Sequence, residues 1–279
     1  MVIRTVLNRD VGFNDSDKNF GPVLYSRDLY LEQCQKHLFD GKGTYEYTEK
    51  PKDLILLDVA RRLKNLLTDC FSNDPTSKSL AHTLMKWTDD SLKRDRLANF
   101  YVIWKLHKKA NAQGMRSRPI SNNIGYPTGQ VSHFLHSQLI DAVNAHTHVL
   151  KDSLSLIRQL ESLSFSPERN ILLTSADVAA LYPSINIEDG MKALQWFMAE
   201  HSSIPQNLQP KYLKLARFVL ENNYVECKGI EGSFLQRIGT AMGTSFSVTY
   251  ATIFMIWLET PIINAVSYTH LRAHETLMN

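Results

Sequence analysis

The stretch "NILLTSADVAALYPSI" (170–185) ends an apolar run on a single carboxylate, Asp177, and then turns through Tyr182 and Pro183. A short apolar run bounded by polar residues predicts a buried strand. A carboxylate closing such a strand loses its hydration unless something pairs with it. A divalent cation is the usual partner for an acid in that position beside a basic cleft. Taken alone, the same residue also fits a helix cap or a turn former. Tyr182, five residues on, sets a ring about one turn away, where it could pack against a sugar.

Two further segments carry chemistry. Residues 93–118, "KRDRLANFYVIWKLHKKANAQGMRSR", hold eight Lys/Arg against one acid, Asp95, a local charge of +7. The whole chain carries +3, so the remainder sums to about −4, which is +3 less +7. Lys105, Lys108 and Lys109 on one side of a predicted hairpin, with Arg116 and Arg118 on the other, would converge on a polyphosphate. Guanidinium forks match phosphate oxygens, and the interleaved Phe100, Tyr101 and Trp104 offer stacking surfaces nearby. A solvated face is the alternative reading of such a run. In "QRIGTAMGTSF" (236–246), Gly239 and Gly243 flank small residues and lead into a helix. That arrangement lets backbone approach a flat ligand, and a helix N-terminus favours an anion. Glycines before a helix are also common loop punctuation.

These segments need elements to hold them. Residues 52–69 space Leu56, Val59, Leu63 and Leu66/Leu67 at helical intervals. "FYVIWKLHK" (100–108) and "RSRPISN" (116–122) predict a hairpin about a Gly-containing loop. Helices are predicted over 128–146, after Pro127, and over 152–163 from an Asp152/Ser153 cap. Further helices are predicted over 187–200, 208–221 and 245–258, with a second hairpin at 224–228 and 233–237. The order is an α+β pattern with a basic N-terminal half.

At 279 residues the chain can bury a full core. Its composition, 43% hydrophobic and 21% charged, is that of a globular protein. Cys34, Cys70 and Cys227 are far apart with no metal-binding spacing, so they read as reduced thiols in an intracellular protein. The start, "MVIRTVLNRD", is not a signal peptide. The most apolar run, 250–258, is followed by Glu259 and Pro261 and is too short for the roughly 20 residues of a membrane span. No membrane partner is expected.

Taken in order, the segments resemble the reverse-transcriptase family, from about Asp17 to Leu258. Within that family they are most similar to the Penelope-like branch of retroelement enzymes, and more loosely to group II intron enzymes and telomerase. "DKNFGPVLYSRDLY" (17–30) resembles the opening of the fingers, and "KLHKK…RSRPIS" the nucleotide-gripping hairpin. "DVAALYPSI" resembles the first palm motif, and "QRIGTAMGTSFSVTYATIFM" the second with its following helix. The resemblance implies a right-hand polymerase fold with fingers over 1–127 (basic hairpin 100–121), a partial palm over 128–258, and no thumb. It implies an RNA-directed DNA polymerase using an RNA template, a DNA primer and dNTPs, inside the cell and nuclear in a eukaryotic host. Asp177 and the Val178 carbonyl would hold Mg²⁺ or Mn²⁺ for two-metal phosphoryl transfer. Tyr182 would check the sugar, which disfavours an RNA-dependent RNA polymerase. Lys105 and Arg118 would grip the triphosphate, Gln236, Gly239 and Gly243 would border the nascent base pair, and Lys18 would be a further phosphate contact.

The family's Asp-Asp hairpin is expected shortly after Leu258. The sequence instead reads "ETPIINAVSYTHLRAHETLMN", and no Asp follows Asp189. The pair Asp89-Asp90 lies upstream in polar surroundings that fit a helix start. "SYTHLRAHET" (267–276) resembles a translated sequencing adapter, so 259–279 is expected to be a non-native tail and the site incomplete, leaving the chain inactive. Helix 245–258 is then expected to expose Phe254, Met255 and Trp257 and to limit solubility. The competing reading is a decayed, non-catalytic nucleic-acid-binding module.

Overall fold

The structure, a computed structural model of the chain, describes residues 11–71, 75–108, 115–163 and 175–265. A hairpin of β1 (Val11–Asp15) and β2 (Pro22–Ser26) encloses a one-turn 3-10 segment, Asp17–Asn19. It is followed by α1 (Arg27–Leu38), β3 (Tyr45–Thr48), α2 (Lys52–Phe71) and α3 (Pro75–Leu92). Next come β4 (Ala98–Trp104), β5 (Ser117–Asn122), α4 (Gly129–Ala145), α5 (Ser153–Ser162) and the single turn α6 (Leu181–Ser184). The chain then forms α7 (Ile187–His201), α8 (Gln209–Glu221), β6 (Tyr224–Cys227), β7 (Ser233–Gln236) and α9 (Ser245–Ala265).

Local chemistry explains three helix starts. Ser26 accepts from the Leu29 N–H at the head of α1, and Asp152 from the Ser155 N–H at α5. Asn186 accepts from Glu188 and Asp189 at α7, whose acidic first turn also suits the helix dipole. The β4 pattern alternates, with Phe100, Val102 and Trp104 inward and Asn99, Tyr101 and Ile103 less buried.

Five strands form one sheet in the order β3-β7-β6-β4-β5, with β4 and β6 parallel and the other pairs antiparallel. The sheet therefore mixes strands from both sides of residue 127, the expected boundary between fingers and palm. Cys34, Leu38, Leu56, Val59, Phe100 and Phe234 pack beneath it. A second, helical core joins Leu63, Leu84, Leu135, Phe197, Leu215 and Phe246 from six helices. Tyr126, which donates to the Asn222 carbonyl at 2.7 Å, ties the two together.

Three expectations change here. The apolar helix runs past Glu259 and Pro261 to Ala265 and is, by length and composition alone, long enough to cross a membrane; half of that stretch is buried against the core. Met255 is buried and Phe254 and Trp257 are half-buried against the helical core; Leu258 and Ile262 are the exposed apolar residues of this helix. Asp89 and Asp90 lie at the end of α3, not at a helix start, and pair with Lys64 and Lys93. Residues 266–279, most of the expected tail, lie outside the described residues. All three cysteines are buried free thiols.

Candidate nucleic-acid interface

Most of the strand expected before Asp177 lies outside the described residues. Residues 164–174 lie outside the described set, and 175–178 are exposed without regular structure. Asp177 is exposed and Val178 is 46% exposed.

Beyond Asp177 the predicted segments do meet. The glycine loop between β7 and α9 touches α6 on one side and β5 on the other. Gly239 N–H donates to the Ile185 carbonyl at 3.1 Å, and Thr240 N–H to the Tyr182 carbonyl at 2.9 Å. On the far side, Ser121 N–H donates to the Met242 carbonyl at 2.6 Å. Gly239 sits at φ +78° and Gly243 at φ +118°, both in the region that favours glycine. A Cβ on Gly239 would lie 2.4 Å from the Tyr182 carbonyl oxygen, and one on Gly243 2.8 Å from that of Ser121. The space these glycines leave is thus filled by the chain's own backbone, not by a flat ligand as expected. They join the Tyr-Pro turn to the basic hairpin.

Gln236 departs from its expected place beside a base pair. It is 3% exposed; its amide donates to the Ile238 carbonyl at 3.0 Å and accepts from Asn223 at 2.9 Å. Asn223 also donates to Ser121 Oγ at 3.2 Å, so the pair braces the loop against β5. The start of α9 is likewise satisfied internally, since Phe246 N–H donates to Ser132 Oγ at 3.1 Å. Tyr182 is half-buried against the helical core.

The basic residues line the loop end of the β4–β5 hairpin. Arg118 stands opposite Ile103, and Lys105 N–H donates to the Arg116 carbonyl at 2.9 Å. Arg116 and Lys108 are exposed, Lys105 and Arg118 are partly buried, and Lys109 lies outside the described residues. Lys18 is exposed on the neighbouring 3-10 turn. Burial, then the charge of Arg118, lowers the pKa of Lys105, with Asp17 acting in the opposite sense. Phe20 stacks on His107 with ring centroids 5.9 Å apart, adding an aromatic surface at the edge of this cationic end. Sequence reasoning missed Asp17 and Asn223. Their partners lie far away in the chain, and neither residue type stands out in its own segment.

Behind the hairpin, His37 of α1 shares a 3.0 Å hydrogen bond with Ser117 Oγ. Burial, and secondarily Lys105, lower its pKa from 6.5 to about 4. The fold therefore holds His37 neutral, while the unfolded chain takes up a proton below about pH 6.5. Between those values the unfolded state binds more protons, so stability is lost as pH falls from about 6.5 towards 4 and is unaffected above. The loss should reach at most about 3 kcal/mol. Denaturant midpoints at two pH values should differ more for the wild type than for His37→Gln; equal differences would contradict this.

The resemblance raised Mg²⁺ or Mn²⁺, and the donor set can be tested against it. Among the described residues no group of three or more His, Cys, Asp or Glu could hold a metal ion. The next carboxylates after Asp177, Glu188 and Asp189, are engaged by Arg217 and Lys192. The described residues do not fit a two-metal site.

No protein-family model matches the chain, and no curated protein matches it. Among solved structures it is similar to an apo telomerase from Candida tropicalis truncated from its C-terminal domain, at 10% identity and a TM-score of 0.48. The match covers 94% of this chain and 50% of that one, so the chain spans about half its length. A likeness at that identity and score carries no argument about fold or chemistry.

Proposed function

We propose that this chain is the nucleotide- and template-binding part of an RNA-directed DNA polymerase. In this reading it receives an RNA template, a DNA primer and a dNTP at the face where β5, α6 and the glycine loop meet. The observation that supports it is the junction itself. Three segments that resemble separate motifs of one enzyme family are stitched together by the Thr240–Tyr182, Gly239–Ile185 and Ser121–Met242 backbone hydrogen bonds. Lys105, Arg116 and Arg118 supply the cations for phosphate, with Lys18, Lys108 and Lys109 reaching the backbone of the nucleic acid. Tyr182 contributes discrimination at the sugar. The chemistry assigned to these residues is binding and positioning, because the metal ligands of a transfer step are not among the described residues. Asp177 is one carboxylate of such a site and is insufficient by itself.

The exposure of Asp177 favours a second reading, a nucleic-acid-binding module without polymerase chemistry. One experiment separates the two. The 279-residue chain is titrated with an RNA template annealed to a recessed DNA primer, with and without the complementary dNTP. On the polymerase reading the matched dNTP tightens binding and a mismatched one does not, while primer extension stays absent. A simple binder gives no dNTP dependence, and that result would overturn the proposal. In either case each phosphate contact removed should reduce the salt slope by about 0.9.

A further inference from the structure

Among the described residues, Asp17 is a carboxylate driven into the cationic end of the hairpin. It is 5% exposed, and its Oδ2 lies 3.3 Å from Arg118 Nη2, an ion pair with no hydrogen bond to that oxygen. A buried charge costs several kcal/mol unless well paired, so this burial calls for a reason. The segment that delivers it is also strained at Lys18, whose φ of 61° costs such a residue about 1 kcal/mol or more; Asn19 follows at φ 54°, which asparagine tolerates. The strain is held by contacts with β4. Ser16 forms an isolated parallel bridge with Trp104, and Asn14 donates to the Val102 carbonyl at 2.9 Å. Buried polar atoms without a hydrogen-bond partner occur in the same segments, β1 to the 3-10 turn and the end of β4: Asn14 Oδ1, Ser16 Oγ, Asp17 Oδ2, Trp104 Nε1 and His107 Nδ1. Strain and unsatisfied groups of this kind concentrate where a fold is arranged for a ligand rather than for stability.

We propose that Asp17 is a positioning residue for phosphate recognition: from beneath, its carboxylate orients the Arg118 guanidinium and balances the charge of Lys105, so that both face the triphosphate of an incoming nucleotide. The inference rests on the nucleotide-binding reading above. The geometry favours support over competition, because the carboxylate is buried while Arg118 keeps 35% of its side chain exposed. Besides Arg118, Asp17 faces Lys105 and His107; Lys105 in turn faces Arg118, Lys108 and Arg116, His107 faces Lys18, Lys108 and Lys105, and His37 of α1 faces Lys105 from behind. All but Asp17 are cationic or can become so. Removing its charge leaves Lys105 opposed by Arg118, Lys108 and Arg116 alone, so Lys105 releases its proton at lower pH. Phosphate binding that needs protonated Lys105 must then fail at lower pH too.

The test titrates the full chain with inorganic tripolyphosphate and with dTTP from neutral pH up to the ordinary lysine value of about 10.4. Arg118→Ala reports on the nucleotide reading and is expected to weaken binding about tenfold, as a lost charge-assisted contact does. Asp17→Asn should weaken it by a similar factor and move the alkaline limb of the binding profile to lower pH, a change that mere loss of stability would not produce. Asp17→Glu keeps the charge but displaces the carboxylate; it should fold, bind several-fold more weakly, and retain the wild-type pH profile. Wild-type affinity and profile in Asp17→Asn, alongside a weakened Arg118→Ala, would overturn this inference and leave the nucleotide reading standing. Should Asp17→Asn not fold, wild-type affinity in Asp17→Glu overturns it instead. If wild type and Arg118→Ala bind alike, the nucleotide reading fails and takes this inference with it.

Discussion

Replacing Gly239 with alanine is expected to separate the glycine loop from the Tyr-Pro turn and to weaken the junction of that loop with α6 and β5 as a whole. An added Cβ would lie 2.4 Å from the Tyr182 oxygen, 2.5 Å from Pro183 Cα and 2.8 Å from Pro183 C. These are backbone atoms, so no side-chain rotation relieves the contact. The left-handed φ of +78° adds a further penalty of roughly 1–2 kcal/mol for alanine. Two hydrogen bonds are at stake, Gly239 to Ile185 and Thr240 to Tyr182. Together these effects should cost about 2–4 kcal/mol, the range of a substitution at a special backbone position. Hydrogen exchange at the Thr240 amide should speed up well before global unfolding. Because the loop also holds Ser121 of β5, affinity for primer–template should fall about tenfold or more through lost orientation. If Gly239→Ala melts with the wild type and its Thr240 amide stays protected, the loop is not docked as described.

Phe246→Ala should have the largest effect on stability. Phe246 is fully buried where α9 enters the helical core, its ring tilted against Tyr250 with centroids 5.6 Å apart. Its N–H is held by Ser132 of α4, so the helix start cannot readily slide to fill the space. Truncating a buried phenylalanine costs about 3–5 kcal/mol, against a total stability of about 5–15 kcal/mol for an ordinary domain. The change is read as a lower denaturant midpoint at unchanged m-value. Phe246→Leu, which keeps more of the volume, should lose less. The result also bears on the apolar length of α9: a cost below about 1 kcal/mol would mean that Phe246 is not packed in a protein core, contrary to the structure.

The sequence by itself determined many of the local elements, but not β1, β2, α1, β3 or α3. The helices over 52–71, 129–145, 153–162, 187–201 and 209–221 and both predicted hairpins were legible, because helical period, strand alternation and capping are written in neighbouring residues. It also located the cationic segment and the glycine loop, since charge density and backbone permissiveness depend on residue type alone. The strand expected before Asp177 falls mostly on residues outside the described ones. The long α9 was cut short at Glu259 and Pro261, because local breakers were read without the packing that carries the helix past them. The sheet order β3-β7-β6-β4-β5 and its union of strands from both halves came only from the tertiary structure. So did the internal use of Gln236, the backbone contacts that fill the space beside Gly239 and Gly243, and the burial of Asp17 against Arg118. Each of these depends on which distant groups the fold brings within a few ångströms, and hydrogen bonds and desolvation act only at that range.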